Sequence, residues 1–250
     1  MTPAMTPALG ELRIAADPPA LAEAGAALLA EAVHASGPRC VISLAGGSTP
    51  RPLYQRLAAP PYLRQLPWSR IDFVLGDERF VAPDDPDSNL GMIRAALFDR
   101  LDGDPPQLHP IPFTGLTVAG AAQAYQHELQ RLYGAATLAP DRPFFDLCLL
   151  GMGDDGHTAS LLPGQPKLLD ERRRWAIPVT EGRPEARITL TYPVLESARL
   201  VVFLVSGESK RAMLDAILSG QERDVPAARL RPQGRLVWLV DRAAAGRWAA

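Results

Sequence analysis

The stretch R-C-V-I-S-L-A-G-G-S-T-P, residues 39–50, contains the pattern that decides the fold. Residues 39–44 form a short apolar run, which predicts a buried β-strand because a strand covered on both faces shows no polar alternation. Gly46 and Gly47 then break the strand, and residues 50–58 predict a helix. A strand, a glycine turn and a helix in this order form the repeating unit of a parallel α/β sheet.

The same alternation continues outward from this stretch in both directions. Before it, residues 15–35 predict a helix with Asp17 as its N-cap and Pro18 in its first turn. After it, apolar runs predict strands at residues 71–75, 145–151, 175–179, 187–190, 200–206 and 236–240. Further helices are predicted from Asp87 or Ser88 to residue 98, at 118–133 and at 209–218.

These elements predict a single α/β domain over residues 1–250. Apolar strands that alternate with helices indicate a mostly parallel sheet with helices on both faces, in a modified Rossmann-like arrangement. The proline-rich residues 104–112 are expected to form a surface loop rather than a linker between domains.

The composition is that of an ordinary globular protein and narrows the functional classes. Of 250 residues, 47% are hydrophobic and 22% are charged, and the formal net charge is -2. Because there is no basic excess, a nucleic-acid partner is not indicated, although a local basic patch can bind a small anion. Cys40 and Cys148 lie in apolar strands, which predicts two buried, reduced thiols and neither a disulfide nor a metal site.

The sequence shows no signal for a membrane. Residues 1–10 have neither the basic segment nor the apolar segment of a secretory signal. No apolar run reaches the roughly 18 residues that a transmembrane helix needs. A cytoplasmic location is therefore expected.

Four predicted strands end in polar clusters, at the end where open parallel sheets bind their ligands. The first cluster is Gly46-Gly47-Ser48-Thr49, whose close backbone approach, hydroxyl groups and helix-start N–H groups suit a phosphate. A simple turn with a capping hydroxyl explains the same residues equally well. The cluster matches neither G-x-G-x-x-G nor a Walker loop, so no dinucleotide, ATP or other cofactor is expected.

The second and fourth clusters carry basic side chains. Asp77-Glu78-Arg79 follows a predicted strand, and charges beside a sheet are costly unless they are paired or used. Either they form a surface turn with an internal ion pair, or Arg79 binds an anion and Asp77 is a structural or catalytic carboxylate. Lys210, one of only two lysines, opens a predicted helix and is a candidate phosphate ligand, with Arg187 as a second basic candidate.

The third cluster, G-M-G-D-D-G-H-T-A-S at residues 151–160, contains the strongest candidate for a catalytic base. Its glycines force a turn, and His157 follows the turn with Asp155 two positions earlier. Histidine is a natural general base near neutral pH, and a neighbouring carboxylate can orient its ring. The other histidines lack such a setting and are expected at the surface: His34, His109 and His127.

Taken in order, these clusters resemble the 6-phosphogluconolactonase family. The matching segments are L-A-G-G-S-T-P (44–50), G-D-E-R-F-V (76–81), D-S-N (87–89), L-G-M-G-D-D-G-H-T-A-S-L-L-P-G (150–164), A-R-I-T-L-T (186–191) and V-S-G-E-S-K (205–210). The chain departs from the family pattern at Asp85, where a histidine is usual, and at Ala45, where a serine is common. The resemblance implies a carboxylic ester hydrolase that opens 6-phospho-D-glucono-1,5-lactone in the oxidative pentose phosphate pathway.

The residues and this resemblance together predict a hydrolysis that uses neither a metal ion nor a covalent intermediate. His157, oriented by Asp155, is expected to take a proton from the attacking water. The resemblance implies that Arg79 and Arg187 both contact the ligand, and either of them or turn amides would stabilise the oxyanion. The groups expected to bind the phosphate or the rest of the substrate are Gly46, Gly47, Ser48, Thr49, Ser88, Asn89 and Lys210.

Two other mechanisms compete at the same site. Asp77 lies at a neighbouring strand end and is a further catalytic candidate, so the role of His157 as the base stays open. Ser160 would be the nucleophile of a covalent route, but the chain lacks the G-x-S-x-G pattern of a nucleophile elbow.

Two other functions are left as alternatives. Glucosamine-6-phosphate deaminases share D-G-H at residues 155–157 but usually continue with an I-A-F-N-E-P-type run, where this chain has T-A-S-L-L-P. A non-catalytic sugar-phosphate sensor would carry a helix-turn-helix, for which the roughly 40 residues before the first glycine turn are too few. The expected partner is a small phosphosugar lactone, and the chain is expected to be a monomer or a homodimer.

Overall fold

The computed structural model describes residues 7–101, 103 and 105–249, and its strands form two sheets. The strands are β1 Glu11–Ala15, β2 Cys40–Leu44, β3 Ile71–Leu75, β4 Asp77–Arg79, β5 Gln107–His109, β6 Leu147–Leu150, β7 Ala176–Val179, β8 Arg187–Leu190, β9 Leu200–Val205 and β10 Arg235–Asp241. The α-helices are α1 Pro18–Ala35, α2 Arg51–Leu57, α3 Tyr62–Gln65, α4 Asn89–Ala96, α5 Val118–Tyr133, α6 Pro166–Leu169, α7 Tyr192–Glu196, α8 Arg211–Leu218, α9 Pro226–Arg229 and α10 Arg242–Ala245. Short 3-10 helices lie at Trp68–Arg70, Phe98–Arg100, Glu208–Lys210 and Gly246–Ala249.

The main sheet has seven strands within the described ranges, in the order β1-β10-β9-β6-β2-β3-β5, and each neighbouring pair is parallel. Its central strands are buried along almost their whole length, as their continuous apolar runs predict. Cys40 and Cys148 lie in this core as free, buried thiols. The predicted α/β class with a mostly parallel sheet is therefore confirmed.

Two edge strands of the main sheet were not predicted, and both lack an apolar run. β1 pairs with β10 but leaves most of its side chains partly exposed, so it has little apolar signal. The predicted helix at 15–35 begins instead at Pro18, because Ala15 ends β1 and the Asp17 carboxylate caps the N–H of Ala20 at 2.8 Å. β5 lies inside the proline-rich stretch that was expected to be a loop, and it pairs with β3.

The strands at 176–179 and 187–190 lie outside the parallel sheet. They form an antiparallel sheet with β4, in the order β4-β8-β7. Residues 180–186 are too few for the crossover that a parallel pair requires, so they can only close a hairpin. Gly76 joins the two sheets, because its N–H donates to Leu44 O and its carbonyl accepts from Leu190 N, both at 2.9 Å. Of the described helices, none is long and apolar enough to cross a membrane.

The expectation that His109 lies at the surface is wrong. β5 places its ring between two carboxylates, with Nε2 2.7 Å from Asp72 Oδ1 and Nδ1 2.6 Å from Glu128 Oε1. Its side chain is only 10% exposed. The hydrogen bond to Asp72, and then the one to Glu128, raise the pKa of His109 against the opposing effect of burial. His34 and His127 are exposed, as expected.

This cluster predicts a pH-dependent contribution of His109 to stability. The raised pKa means that the contribution is complete below the ordinary value of 6.5 and is lost as pH rises through the folded-state pKa. We expect His109→Gln to lower the free energy of unfolding by about 2 kcal/mol at pH 6 and by less at pH 9. Urea denaturation at both pH values measures this, with the exposed His127→Gln as control. An equal loss at both pH values would contradict the assignment.

Candidate active site

One cavity of about 250 Å³ lies where β2, β3, β6 and β9 end, beside the second sheet. The carboxyl ends of parallel strands meet at one edge, which brings their polar clusters together. Most of the predicted site residues line it, namely Gly46, Gly47, Ser48, Thr49, Asp77, Arg79, Asn89, His157, Arg187 and Lys210. Asp155 and Ser88 are not among the lining residues.

The glycine turn after β2 presents backbone N–H groups to the cavity. Those of residues 46–49 donate to no acceptor within the described part of the chain. Gly47 has φ +97°, in the region that favours glycine. A Cβ on Gly46 would lie 1.9 Å from Asn89 Oδ1, so only glycine fits there. Tyr54 of α2 fastens the strand end by bonding both the N–H and the carbonyl of Ala45, at 3.0 and 2.6 Å.

The alternation of β4 divides its three charged side chains between two faces. Asp77 and Arg79 line the cavity, whereas Glu78 points the other way and is 7% exposed. The Glu78 carboxylate accepts from the N–H groups of Asn89 and Leu90, both at 2.7 Å, at the start of α4. Burial, opposed by these N–H donors, raises the pKa of Glu78. Glu78 therefore holds α4 in place, and with it the Asn89 side chain that faces the cavity.

Ser88 supports the cavity from outside. It is 3% exposed and is the N-cap of α4, where its Oγ accepts from Gly91 N at 3.0 Å. Asn89, its neighbour, donates from Nδ2 to Asp77 O at 3.0 Å and so links α4 to β4. Of the two predicted ligand residues Ser88 and Asn89, only Asn89 reaches the cavity, because the capping geometry turns Ser88 back onto the helix.

Arg79 and Arg187 stand directly opposite each other on β4 and β8. Both line the cavity, and the Arg187 side chain is only 12% exposed. Its Nε is buried without a hydrogen-bond partner among the described residues, and its Nη2 lies 3.8 Å from Glu185 Oε2. Burial, and then the charge of Arg79, lower the pKa of Arg187. Two facing cations with an unpaired donor form an environment that an anion would stabilise.

Ser160 does not line the cavity and is fully buried. Its Oγ donates to Asp77 Oδ2 at 2.6 Å, and its N–H donates to Thr189 Oγ1 at 3.2 Å. This hydroxyl fixes the Asp77 carboxylate and is not positioned as a nucleophile. The residue before it, Ala159, lines the cavity with φ +47°, an uncommon conformation for a residue with a side chain.

His157 and Asp155 form a close pair at the cavity. Asp155 Oδ1 lies 2.5 Å from His157 Nδ1 and 3.1 Å from the His157 N–H. Although burial, the largest influence, acts in the opposite direction, the hydrogen bonds from His157 and Arg183 lower the pKa of Asp155 to about 2. An ionised carboxylate at Nδ1 leaves Nε2 as the ring nitrogen that can accept a proton. The pair therefore has the arrangement of a histidine base with an orienting carboxylate.

Gly153 makes room for this pair. A Cβ at this position would lie 2.0 Å from His157 Nδ1 and 2.6 Å from Asp155 Oδ1. We expect Gly153→Ala to reduce kcat by about 10²-fold, because a displacement of about 1 Å in a catalytic group has this effect. Gly37→Ala is the matched control, since a Cβ there meets nothing within 4 Å and Gly37 does not line the cavity. Steady-state kinetics with circular dichroism measure both, and equal activities of the two variants would contradict the prediction.

Lys210 reaches the cavity from the segment after β9. Its Nζ lies 2.6 Å from Asp154 Oδ1, which also accepts from Ser209 Oγ at 3.1 Å. The buried Asp241 holds the start of this segment by accepting from Ser206 Oγ at 2.5 Å and from Gly207 N at 3.1 Å. Because Asp154 is exposed, an anion in the cavity would compete with a solvated carboxylate for the Lys210 ammonium.

The sequence reasoning missed several residues that shape the site. The role of Glu78 would have followed from strand alternation if residues 77–79 had been recognised as a strand instead of a turn. Gly153 and Arg183 have no comparable signal, because their effect depends on contacts that form only when the chain has folded. No group of three His, Cys, Asp or Glu side chains suited to a metal ion occurs within the described residues.

Comparisons with known proteins show the family to which the chain belongs. The family model for glucosamine-6-phosphate isomerases/6-phosphogluconolactonase matches residues 16–238. A 6-phosphogluconolactonase of Nostoc sp. is 41% identical over 82% of this chain and 83% of its own length. The one of Rattus norvegicus is 36% identical over 96% of this chain and 94% of its own length.

Similarity also extends to the three-dimensional structure. The structure of 6-phosphogluconolactonase from Trypanosoma cruzi superposes with a TM-score of 0.82 at 27% identity, covering 96% of this chain and 97% of that one. The family match spans most of the chain and includes every element that contributes to the cavity. The chain therefore belongs to the glucosamine-6-phosphate isomerase/6-phosphogluconolactonase family.

Proposed function

We propose that the chain hydrolyses 6-phospho-D-glucono-1,5-lactone to 6-phospho-D-gluconate, a step of the oxidative pentose phosphate pathway. The observation that carries this proposal is the convergence of a carboxylate-oriented histidine with three cationic side chains on one cavity. A phosphorylated ester needs both an anion site and a base for water. The relatives that bear the name 6-phosphogluconolactonase support the same substrate.

In this proposal the phosphate is the anchor. The N–H groups of residues 46–49 and the Lys210 ammonium bind its oxygens, and the phosphate displaces Asp154 from Lys210. Fixing the phosphate places the lactone ring toward His157, so that an intermolecular attack becomes one between pre-positioned partners. Asn89, bonded to Asp77 and packed on Gly46, contributes an amide to the same wall.

The chemistry begins when Nε2 of His157 takes a proton from the water that attacks C1. The carbonyl oxygen then becomes an oxyanion, and Arg79 and Arg187 supply the nearby positive charge. Collapse of the tetrahedral species breaks the bond from C1 to the ring oxygen, which receives the proton from the imidazolium. The product is an open-chain acid, and His157 returns to its neutral form.

Two assays on one preparation test the proposal and separate it from the aminosugar-phosphate reaction of the same family. Lactone opening is followed by coupling 6-phosphogluconate formation to its dehydrogenase, with correction for spontaneous opening. Ammonia release from glucosamine 6-phosphate is followed in parallel. We expect rapid lactone opening and no ammonia. Ammonia release without lactone opening would replace the proposal with a deaminase, and inactivity in both assays would contradict it.

A further inference from the structure

Arg183 contacts the His157–Asp155 pair from outside the cavity. It lies in the hairpin loop between β7 and β8, far from both residues in sequence. Its Nη2 lies 2.8 Å from Asp155 Oδ2 and 3.0 Å from His157 Nδ1. Its side chain is 30% exposed, and it is not among the residues that line the cavity. Arg183 therefore acts on the pair from the side away from the substrate space.

The positions of the protons follow from these distances. Asp155 is ionised at neutral pH, so the proton in its 2.5 Å contact with the ring belongs to His157 Nδ1. A protonated Nδ1 cannot accept from a guanidinium, so the Arg183 N–H donates to Asp155 Oδ2 instead. Oδ1 meanwhile accepts from the ring and from the His157 backbone N–H. Both carboxylate oxygens are thus occupied, and the carboxylate cannot rotate without losing a hydrogen bond.

The opposite tautomer would fit this arrangement poorly. With the proton on Nε2, Nδ1 would face Asp155 Oδ1 with one lone pair against another at 2.5 Å. Arg183 could then donate to Nδ1, but only one of the two close contacts would be favourable. With the proton on Nδ1, every contact is favourable except the one between Arg183 Nη2 and His157 Nδ1. There the guanidinium donates to Asp155 Oδ2 instead.

We propose that Arg183 is a positioning residue for the base: it locks Asp155 so that Nδ1 keeps its proton, and its charge offsets that of the carboxylate. This inference rests on the proposed function, in which Nε2 of His157 accepts the proton from water. The Arg183 guanidinium and the Asp155 carboxylate both lie next to Nδ1, so their opposite charges act on the ring in opposite directions.

Other charged groups also face His157. Four of them line the same cavity as His157, namely Asp77 and Arg79 of β4, Arg187 of β8, and Lys210, and Asp154 is the carboxylate that pairs with Lys210. All of them are retained when only Arg183 is changed, so a difference between variants reports on Arg183.

The test is the pH dependence of kcat/KM for Arg183→Gln and Arg183→Lys. We expect the acid limb of Arg183→Gln to move to higher pH by about 0.5–1 unit, with partial screening by solvent. We also expect the plateau of kcat to fall about 10-fold as the ring loses its fixed orientation. Arg183→Lys restores the position of the limb, because it keeps the charge. Arg173→Gln removes an equally charged, exposed side chain elsewhere and should leave the profile unchanged.

A second measurement does not depend on the substrate. Nitrogen-15 spectra of the imidazoles, with His157 assigned through His157→Asn, report which nitrogen carries the proton in the neutral ring. We expect the Nδ1-protonated form in the wild type and a mixture of tautomers in Arg183→Gln. An unchanged tautomer together with an unchanged acid limb would overturn the proposal, even if lactonase activity is present. Absence of lactonase activity in the wild type would instead overturn the proposed function.

Discussion

His157→Asn is expected to lower kcat for 6-phosphogluconolactone by about 10²–10⁴-fold, the usual effect of removing a general base. Asparagine keeps a polar group of similar size beside Asp155 but cannot accept a proton from water at neutral pH. KM should change little, because the proposed phosphate contacts come from the turn after β2 and from Lys210. Steady-state kinetics in the dehydrogenase-coupled assay measure both constants.

His127→Asn is the control for this substitution. His127 is exposed on α5 and is not among the cavity residues, so this variant should keep the wild-type rate. Full turnover by His157→Asn after correction for spontaneous opening would remove His157 from the role of base. Asp77, which is buried and faces the same cavity, would then be the candidate to replace it.

Arg187→Gln is expected to separate activity from stability. We expect kcat/KM to fall about 10²–10³-fold, as for the loss of an oxyanion donor. In the absence of ligand the same change removes a buried cation that faces Arg79 and has an unpaired Nε. The free energy of unfolding should therefore stay equal or rise by about 0.5 kcal/mol, since like charges on facing strands are destabilising.

Urea denaturation and the coupled assay, run on the same preparations, measure the two effects. Arg173→Gln is the matched control, because it removes an exposed arginine that does not line the cavity. Added inorganic phosphate should raise the thermal stability of the wild type and of Arg187→Gln by similar amounts, because the proposed phosphate contacts come from residues 46–49 and Lys210 and the anion binds only the folded state. A variant that loses stability but keeps its activity would show that Arg187 is structural.

The fold was largely predictable from the sequence where burial is uniform. The core strands β2, β3, β6 and β9 are continuous apolar runs, and α5 has its Thr117 cap and Gly134 terminator at its two ends. The edge strands β1 and β5 were not predictable in this way, because an edge strand is only partly covered and has no continuous apolar run. The antiparallel direction of β7 and β8 follows from the length of their connecting loop. The apolar run of either strand alone does not indicate it.

The candidate site was predictable where the chemistry coincides with strand ends. His157, Arg79 and Lys210 each follow a main-sheet strand, and parallel pairing brings such positions together. The roles of Ser88 and Arg183 were not predictable, since they depend on where a side chain points after folding. His109 of β5 shows the same limit, because its carboxylate partners Asp72 and Glu128 are distant in sequence.

The central claim is that a phosphate anchor places a lactone against His157. The most direct measurement compares kcat/KM of the wild type for 6-phosphogluconolactone and for unphosphorylated gluconolactone, each corrected for spontaneous opening. We predict rapid opening of the phosphorylated lactone and a value lower by about 10²-fold or more for the unphosphorylated one, because the anchor's binding energy orients the reacting ring. Equal values for the two lactones, or no acceleration of either, would contradict the claim.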